Sequence, residues 1–354
     1  MRLSDLTIER WRRFKGIRRA YYSLILLSSL FILSLFSECI AERKPIIMGY
    51  QSSIYFPLIQ FYSGKELGQE YGTEADYRAL VNSPSFEASG WAIFPPVPFD
   101  PEEADLQDQE PPPHPPSLRH WLGTDSLGRD VFARLLYGFR ICMLFSLSLT
   151  IVSGVLGVIV GGIQGYLGGR TDIVMQRLIE VWSALPFLYV VILLGSIYGQ
   201  NFWMLLVVMS LFSWVGLSYY MRGEFFKLRG QTYVQAARAS GLGSIRIFMG
   251  QILPNALTPL ITILPFTLIA GISSLTALDF LGFGLPPPTP SWGELLQQAM
   301  DNLDFPWIAI STVTALFLTL LMATFIGEGA REAFDPKYYE EPGSENTPGR
   351  PVRP

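Results

Sequence analysis

Charged residues are scarce in this sequence. Aspartate, glutamate, lysine and arginine together make up 16% of the 354 residues, whereas hydrophobic residues make up 49%. So few charges cannot cover the surface of a water-soluble protein of this length, which indicates a membrane protein. The formal net charge of −4 also argues against a nucleic-acid-binding protein, because such a protein needs a basic surface.

Cysteine and histidine are equally rare, with two of each. Cys39 and Cys142 lie far apart in apolar runs, so the sequence predicts no disulfide framework. His114 lies within a proline-rich stretch that ends shortly before His120, and neither histidine has a cysteine or a close acidic cluster beside it in the sequence. We therefore expect no metal site.

Catalytic motifs are also missing. A Walker loop ends in Gly-Lys-Ser/Thr, but only Lys65 follows a glycine, and Glu66 stands where the Mg²⁺-binding Ser or Thr is required. We therefore expect no cofactor in this chain. There is no Gly-x-Ser-x-Gly, no His-Glu-x-x-His and no convincing carboxylate pair, so no catalytic residues are predicted and a membrane-bound hydrolase is disfavoured.

Long uncharged runs predict six membrane-spanning helices. About 20 apolar residues cross a hydrocarbon core that is roughly 30 Å thick. The run at 181–221 is about twice that length, so we expect it to fold back at 198–201, where a glycine and two amides suit a tight turn. The remaining runs lie at 20–37, 141–169, 247–278 and 305–327.

The distribution of lysine and arginine predicts the orientation. The basic cluster before the first span should stay in the cytoplasm, which with six spans of the inner (plasma) membrane also places the C-terminus there. A single-span anchor before a separate core is the alternative. The predicted organisation is a cytoplasmic basic N-terminus at 1–19, a first transmembrane helix at 20–41, an inserted periplasmic segment with a proline-rich connector at 42–137, a five-helix core at 138–330 with a cytoplasmic loop at 223–254, and a cytoplasmic tail at 331–354.

Small residues and prolines within the spans predict packing and kinks. Ser153, Gly157, Gly161 and Gly165 recur every four residues, which favours close helix packing over substrate contact. Three prolines predict kinks or hinges, at positions 186, 259 and 265. The block at 123–130 predicts a turn and an N-cap that open a short helix before the second span.

The cytoplasmic segment 232–255 predicts a helix-turn-helix elbow. Residues 232–240 favour a helix, Gly241 and Gly243 can end it in the left-handed conformation, and Ser244 can cap a second helix. Pro254 suits the first turn of the fifth span. Small side chains leave a shallow face that another protein could approach, although an ordinary interfacial helix would show the same periodicity.

The spacing in this elbow carries a resemblance. Gln235-Ala236-Ala237, three further residues, Gly241 and then Leu253-Pro254 resemble the EAA loop of the permease subunits of ABC importers. In that family the loop docks into a cleft on the ATPase subunit, and Gln235 stands where the family usually has glutamate. The resemblance implies an ATPase-coupling loop made of Tyr233, Gln235, Ala236, Ala237, Gly241, Leu253 and Pro254.

Four further blocks, at 123–140, 165–172, 278–296 and 327–336, resemble the second permease of dipeptide and oligopeptide importers. The stretches SECIAERKP (37–45), YFPL (55–58) and IEVWSALP (179–186) are similar to Yej-type permeases, which are associated with oligopeptide and microcin C uptake. The resemblance implies an all-α type I importer permease fold whose partners are a homologous second permease, two ATPase subunits or domains that bind ATP and Mg²⁺, a periplasmic substrate-binding protein, a peptide substrate and the lipid bilayer. Substrate-binding residues stay unassigned.

Two alternatives remain open. A secondary, ion-coupled transporter or a channel subunit would need ionisable groups inside the membrane, which the uncharged spans lack.

The aromatic-rich stretch 46–99 predicts a small packed unit in the outer segment, followed by an acidic, extended connector. That unit either docks the substrate-binding protein or serves as a passive cap on the outer helix ends.

Overall fold

The structure is a computed structural model that describes residues 5–51, 53–70, 72–87, 90–105 and 111–334. Most of these residues are helical, which confirms the expected helical membrane protein. The helices are α1 (Asp5–Gly16), α2 (Arg18–Ser34), α3 (Tyr77–Val81), α4 (Pro84–Glu87), α5 (Val131–Leu167), α6 (Gly169–Ser183), α7 (Phe187–Tyr198), α8 (Phe202–Arg229), α9 (Thr232–Ala239), α10 (Ser244–Ile247), α11 (Leu253–Ile261), α12 (Leu264–Phe280), α13 (Trp292–Asp301) and α14 (Pro306–Ala333).

Three of these helices, α5, α8 and α14, are long and apolar enough to cross a membrane alone. Three pairs of consecutive helices are long and apolar enough only when the two members are taken together, and each pair is bent at a short break. The bend is 97° between α1 and α2, 67° between α6 and α7, and 55° between the segment Ser244–Ile261 and α12. Counting each pair as one span gives up to six spans by length and composition. Helix α7 has 12 residues and is therefore only about 18 Å long, shorter than the hydrocarbon core, so it reaches the length of a span only together with α6.

The breaks in two of these pairs, α6 with α7 and the pair that ends with α12, lie at or close to the three prolines, whereas the break between α1 and α2 at Ile17 contains none. Pro186 is the N-cap of α7, Pro259 lies inside α11, and Pro265 lies in the first turn of α12. A proline removes a backbone N–H and its ring crowds the preceding turn, so the helix bends where it occurs. The predicted kinks are thus confirmed.

The core of the membrane part is the seam between α5 and α8. A Cβ added to Gly157 would lie 2.6 Å from the Cβ of Leu217, and one added to Gly161 or Gly165 would overlap the backbone of α8. Ser153 on the same stripe is fully buried. The small residues therefore let the two helix backbones approach closely, which confirms the packing interpretation.

The outer segment contains a small sheet that the sequence did not predict. Strands β1 (Ile47–Tyr50), β2 (Ser53–Tyr55) and β3 (Trp91–Ile93) pair antiparallel in the order β2-β1-β3. A separate apolar cluster forms between this sheet and the short helices α3 and α4, and includes Met48, Tyr50, Leu67, Tyr77 and Phe86. The predicted packed unit is confirmed; Tyr71, one of its expected aromatics, lies outside the described residues.

The described part of the connector is bound to the membrane core rather than extended away from it. Ala41 forms a parallel bridge with Val97, and the Arg134 side chain donates to the Pro101 carbonyl at 2.8 Å. The Asp105 N–H donates to the Gly128 carbonyl at 2.9 Å. The proline-rich composition suggested a spacer, but these bonds attach it to the start of α5, which itself begins inside the predicted inserted segment.

Candidate functional site: the elbow between α8 and α11

The elbow starts with α9, which begins at Thr232 as predicted and ends at Ala239, one residue before the predicted end. Gly241 follows with φ +80°, in the left-handed conformation that lets the chain reverse without strain. Gly243 has φ −66° and is instead the N-cap of α10, so its predicted left-handed conformation is wrong. Ser244 is the first residue of α10 and makes no side-chain cap, which corrects the predicted capping role.

A π turn at Phe248–Ile252 joins α10 to α11. Pro254 lies in the first turn of α11, as predicted. Because Pro254 has no N–H, the carbonyl four residues before it loses its α-helical hydrogen-bond partner. The wider i→i+5 hydrogen bonds of a π turn are one way for the helix to continue past the proline.

One side of the elbow is anchored in the membrane core. Val234, Ile247, Ile252 and Ala256 are fully buried, and they pack in one cluster with side chains of α8 such as Phe225. Aromatic contacts extend this anchor to α5. The Tyr166 hydroxyl donates to the Ser244 carbonyl at 3.1 Å, and the Phe248 ring lies 5.5 Å from Tyr166 and 5.1 Å from Phe225.

The other side of the elbow is exposed and shallow. Gln235, Ala236 and Gly241 are exposed, and a Cβ at Gly241 would meet no atom within 4 Å. The Gln235 amide donates to the Gly230 carbonyl at 3.0 Å, so this side chain folds back on its own loop. An outside backbone could therefore approach the helix end closely.

The structure divides the remaining predicted coupling residues between the two sides. Ala237 and Leu253 are half-buried against the anchoring cluster, so they hold the elbow in place. Tyr233 and Pro254 are exposed. The side-chain amide of Asn255, the residue after Pro254, lies 3.5 Å from the Tyr233 hydroxyl. Tyr233 and Pro254 are therefore near each other in space although 20 residues separate them in the sequence.

At the opposite end of α5, a buried ionic cluster was missed by sequence reasoning. Glu294 of α13 accepts from Arg129 at 2.6 Å and from Arg134, whose side chain is fully buried. Asp125 accepts from the Arg129 side chain at 2.8 Å. Burial lowers the pKa of Arg129, but Asp125 and Glu294 outweigh it and hold that pKa above its usual value.

His120 extends the polar region. Its ring nitrogens lie 2.8 Å from Asp130 and 3.2 Å from Asp105, so the fold gives it acidic neighbours that do not stand beside it in the sequence. Asp130 also accepts the Ala133 N–H at 2.8 Å and is the N-cap of α5 itself. The separate short helix that was expected here is therefore part of the second span. The cap signal was readable in the sequence, whereas Asp105 and His120 are joined only by the fold.

A cavity of about 390 Å³ lies beside the break between α11 and α12. Helix α8 contributes Ser213 and Tyr220 to its wall, and α12 contributes Thr267 and Ser274, so the cavity has polar groups among apolar ones. Broken helices in membranes are tolerated where they line such spaces.

Comparison with known proteins gives the family. Residues 153–338 match the family model of the binding-protein-dependent transport system inner membrane component. The inner membrane ABC transporter permease protein YejE of Escherichia coli (strain K12) is 45% identical, over 95% of this chain and 98% of the relative. A peptidoglycan transport system permease protein YejE of Agrobacterium fabrum is 40% identical, over 94% of each chain.

A more distant relative covers a smaller part of the sequence. The dipeptide transport system permease protein DppC of Bacillus subtilis (strain 168) is 38% identical, over 63% of this chain and 70% of the relative. The elbow falls within the segment that the family model matches. The chain belongs to the family of inner membrane components of binding-protein-dependent transport systems, and it is an ABC transporter permease.

Proposed function

We propose that this chain is the translocating subunit of an ATP-driven importer for oligopeptides or peptide-like compounds, and that its elbow docks a separate ATPase. The relatives are named for dipeptide, peptidoglycan and ABC transport, which supports a substrate with peptide bonds. The likeness to Yej-type permeases extends the proposal to compounds such as microcin C. ATP and Mg²⁺ are bound by the partner ATPase, because this chain has no Walker loop.

The observation that carries this proposal is the two-sided build of the elbow. Its exposed side offers Ala236 and Gly241 to a partner, while its buried side packs on α8 and bonds to α5. A force on the exposed side is therefore passed to two spans. The cavity at the α11–α12 break, which has a few polar groups in a mostly apolar wall, lies next to these spans, and it is our candidate for part of the substrate path.

The proposed assembly contains a homologous second permease, two ATPase subunits or domains, and a periplasmic substrate-binding protein. We place both termini and the elbow in the cytoplasm, because the basic residues at 10–19 and 222–246 fall on one side of the predicted spans. A cysteine near position 235 should then react with an impermeant reagent only in opened cells, and one near position 90 in intact cells. Labelling of position 235 in intact cells would overturn this orientation.

The coupling test requires a residue whose enlargement affects only a partner. Gly241 is unsuitable alone, because any side chain at φ +80° strains the backbone, and Ala237 is half-buried. Ala236→Trp is the sharper variant. It should abolish ATP-dependent peptide uptake and release the ATPase during purification, with unchanged membrane insertion. The matched control is Ala79→Trp on α3, an exposed alanine in the outer insert. Normal uptake by the Ala236 variant would refute coupling through the elbow.

The outer insert also carries a proposed contact with the substrate-binding protein. Phe61 is 63% exposed, whereas Tyr50 is 4% exposed inside the insert core. Phe61→Ala should raise the concentration of loaded binding protein that gives half-maximal ATPase stimulation, with no change in melting temperature. Tyr50→Ala is the structural control, and it should lower stability by about 3 kcal/mol. An unchanged concentration for Phe61→Ala would favour the passive cap.

A further inference from the structure

A long apolar groove lies between α2, α5 and α14. Its volume is about 990 Å³, and Leu26, Leu30 and Leu33 form its α2 wall. Along α14 it extends from Pro306 to Phe325, which is about 28 Å of helix and close to the thickness of the hydrocarbon core. The groove therefore has the length and the apolar lining that lipid acyl chains require.

A cation is positioned at one end of this groove. Arg19 precedes Ser23 by four residues and Leu26 by seven, so it lies on the helix face that lines the groove. Its guanidinium carbon is 5.8 Å from the ring centre of Phe325, the groove residue nearest that end of α14. Arg19 pairs with Glu328 at 3.4 Å, and both side chains remain about half exposed.

The same end of the groove meets the basic helix α1. This helix turns 97° away from α2, and its Phe14 is buried against the end of α14. Helix α1 combines several basic residues with the exposed Trp11, a composition that is typical of a helix lying along a membrane surface. This corner also has three exposed cations, Arg12, Lys15 and Arg18. None of the three forms an ion pair with another of the described residues.

We propose that this groove binds an anionic phospholipid. The acyl chains lie between α2 and α14, and the phosphate group lies at Arg19 and the basic corner formed by α1 and α2. Basic residues at the end of a pocket between membrane helices attract anionic headgroups, while an apolar groove alone would accept any lipid. The excess of cations at this end selects an anionic lipid over a zwitterionic lipid or the apolar face of a second subunit.

Two tryptophans provide the readout, because Trp292 and Trp307 both line the groove. The permease, purified with its partner subunits, is titrated with phosphatidylglycerol or phosphatidylcholine carrying brominated acyl chains, and quenching of tryptophan fluorescence is measured. The wild type should bind phosphatidylglycerol more tightly. The double variant Arg18→Gln/Arg19→Gln should reduce that preference by about thirtyfold, since each basic residue near a membrane surface contributes on the order of 1 kcal/mol.

Matched variants separate charge from shape. Arg177→Gln is the charge control, because Arg177 is also an exposed arginine with a nearby carboxylate, Glu180 at 2.5 Å. It should leave the preference unchanged. Thr314→Phe fills the groove and should weaken binding of both lipids, whereas Val313→Phe, on an exposed position outside the groove lining, should not.

Three results would overturn the proposal. One is equal binding of the two lipids by the wild type, and another is an unchanged preference in the double arginine variant. The third is loss of the partner permease from the Thr314→Phe complex with lipid quenching unaltered, because the groove would then be covered by protein. None of these readouts depends on peptide transport, so failure of the proposed substrate class would not affect them.

Discussion

Glu42 should destabilise the outer insert at neutral pH. Glu42 is 8% exposed in the segment after α2, and its carboxylate accepts the backbone N–H of Arg43 at 3.1 Å. Burial, and secondarily the nearby Asp100 carboxylate, raises the pKa of Glu42 from its usual 4.5 to about 6. Because the folded state binds the proton more tightly than the unfolded state, stability falls as the pH rises from about 4.5 to 6 and stays low above that.

The magnitude follows from the two pKa values. A pKa that rises from 4.5 to about 6 corresponds to about 2 kcal/mol of lost stability above pH 6, or roughly a thirtyfold change in the opening equilibrium. Glu42→Gln removes the charge and keeps the shape, so the variant should be more stable at pH 7.5 and equal to the wild type near pH 4.5.

Amide hydrogen exchange measures this locally. The Glu42 N–H bonds to the Val97 carbonyl at 3.1 Å, and the Val97 N–H bonds to the Ile40 carbonyl at 3.0 Å, so both amides report opening at this point. In Glu42→Gln they should exchange up to about thirtyfold more slowly at pH 7.5. Glu66→Gln, an exposed carboxylate of the same insert, is the control. Equal exchange in wild type and Glu42→Gln at pH 7.5 would refute the reasoning.

The remaining predictions concern the seam and the ionic cluster. Gly161→Leu should prevent α5 from packing on α8 and so abolish purification of a folded permease, whereas Ile163→Val on the exposed face of α5 should be neutral. Glu294→Gln should cost about 3 kcal/mol in a thermal or denaturant melt, because it leaves two buried arginines underpaired, while Glu180→Gln at an exposed pair should cost less than about 1 kcal/mol.

Local signals made much of the membrane part predictable. Apolar runs located the spans, and the small-residue stripe ending at Gly165 predicted the α5–α8 seam, because both depend on periodicity within one helix. The same holds for Gly241, whose positive φ only glycine adopts readily, and for Pro254, whose missing N–H suits a helix start.

Features that join distant segments were not predictable. Glu294 meets Arg129 and Arg134 across about 160 residues, and nothing in its own surroundings indicates a buried ion pair. Three-residue strands such as β2 and β3 carry too little alternation to distinguish them from loop. The capping role of Ser244 was wrong for a related reason, since serine favours a cap but the chain entered the helix one residue earlier, at Gly243.

These contacts determine where the molecule can bend. Helix α5, with 37 residues and about 55 Å of length, is tied to the connector at its start by Asp105 and to the elbow near its end by Tyr166. The glycine seam joins it to α8, so these two helices form one rigid unit. The helical backbone hydrogen bonding is interrupted instead at Pro186 and between α11 and α12. A force applied to the elbow would therefore move α5 and α8 together, and the relative motion would concentrate at these two proline breaks, the second of which borders the cavity described above.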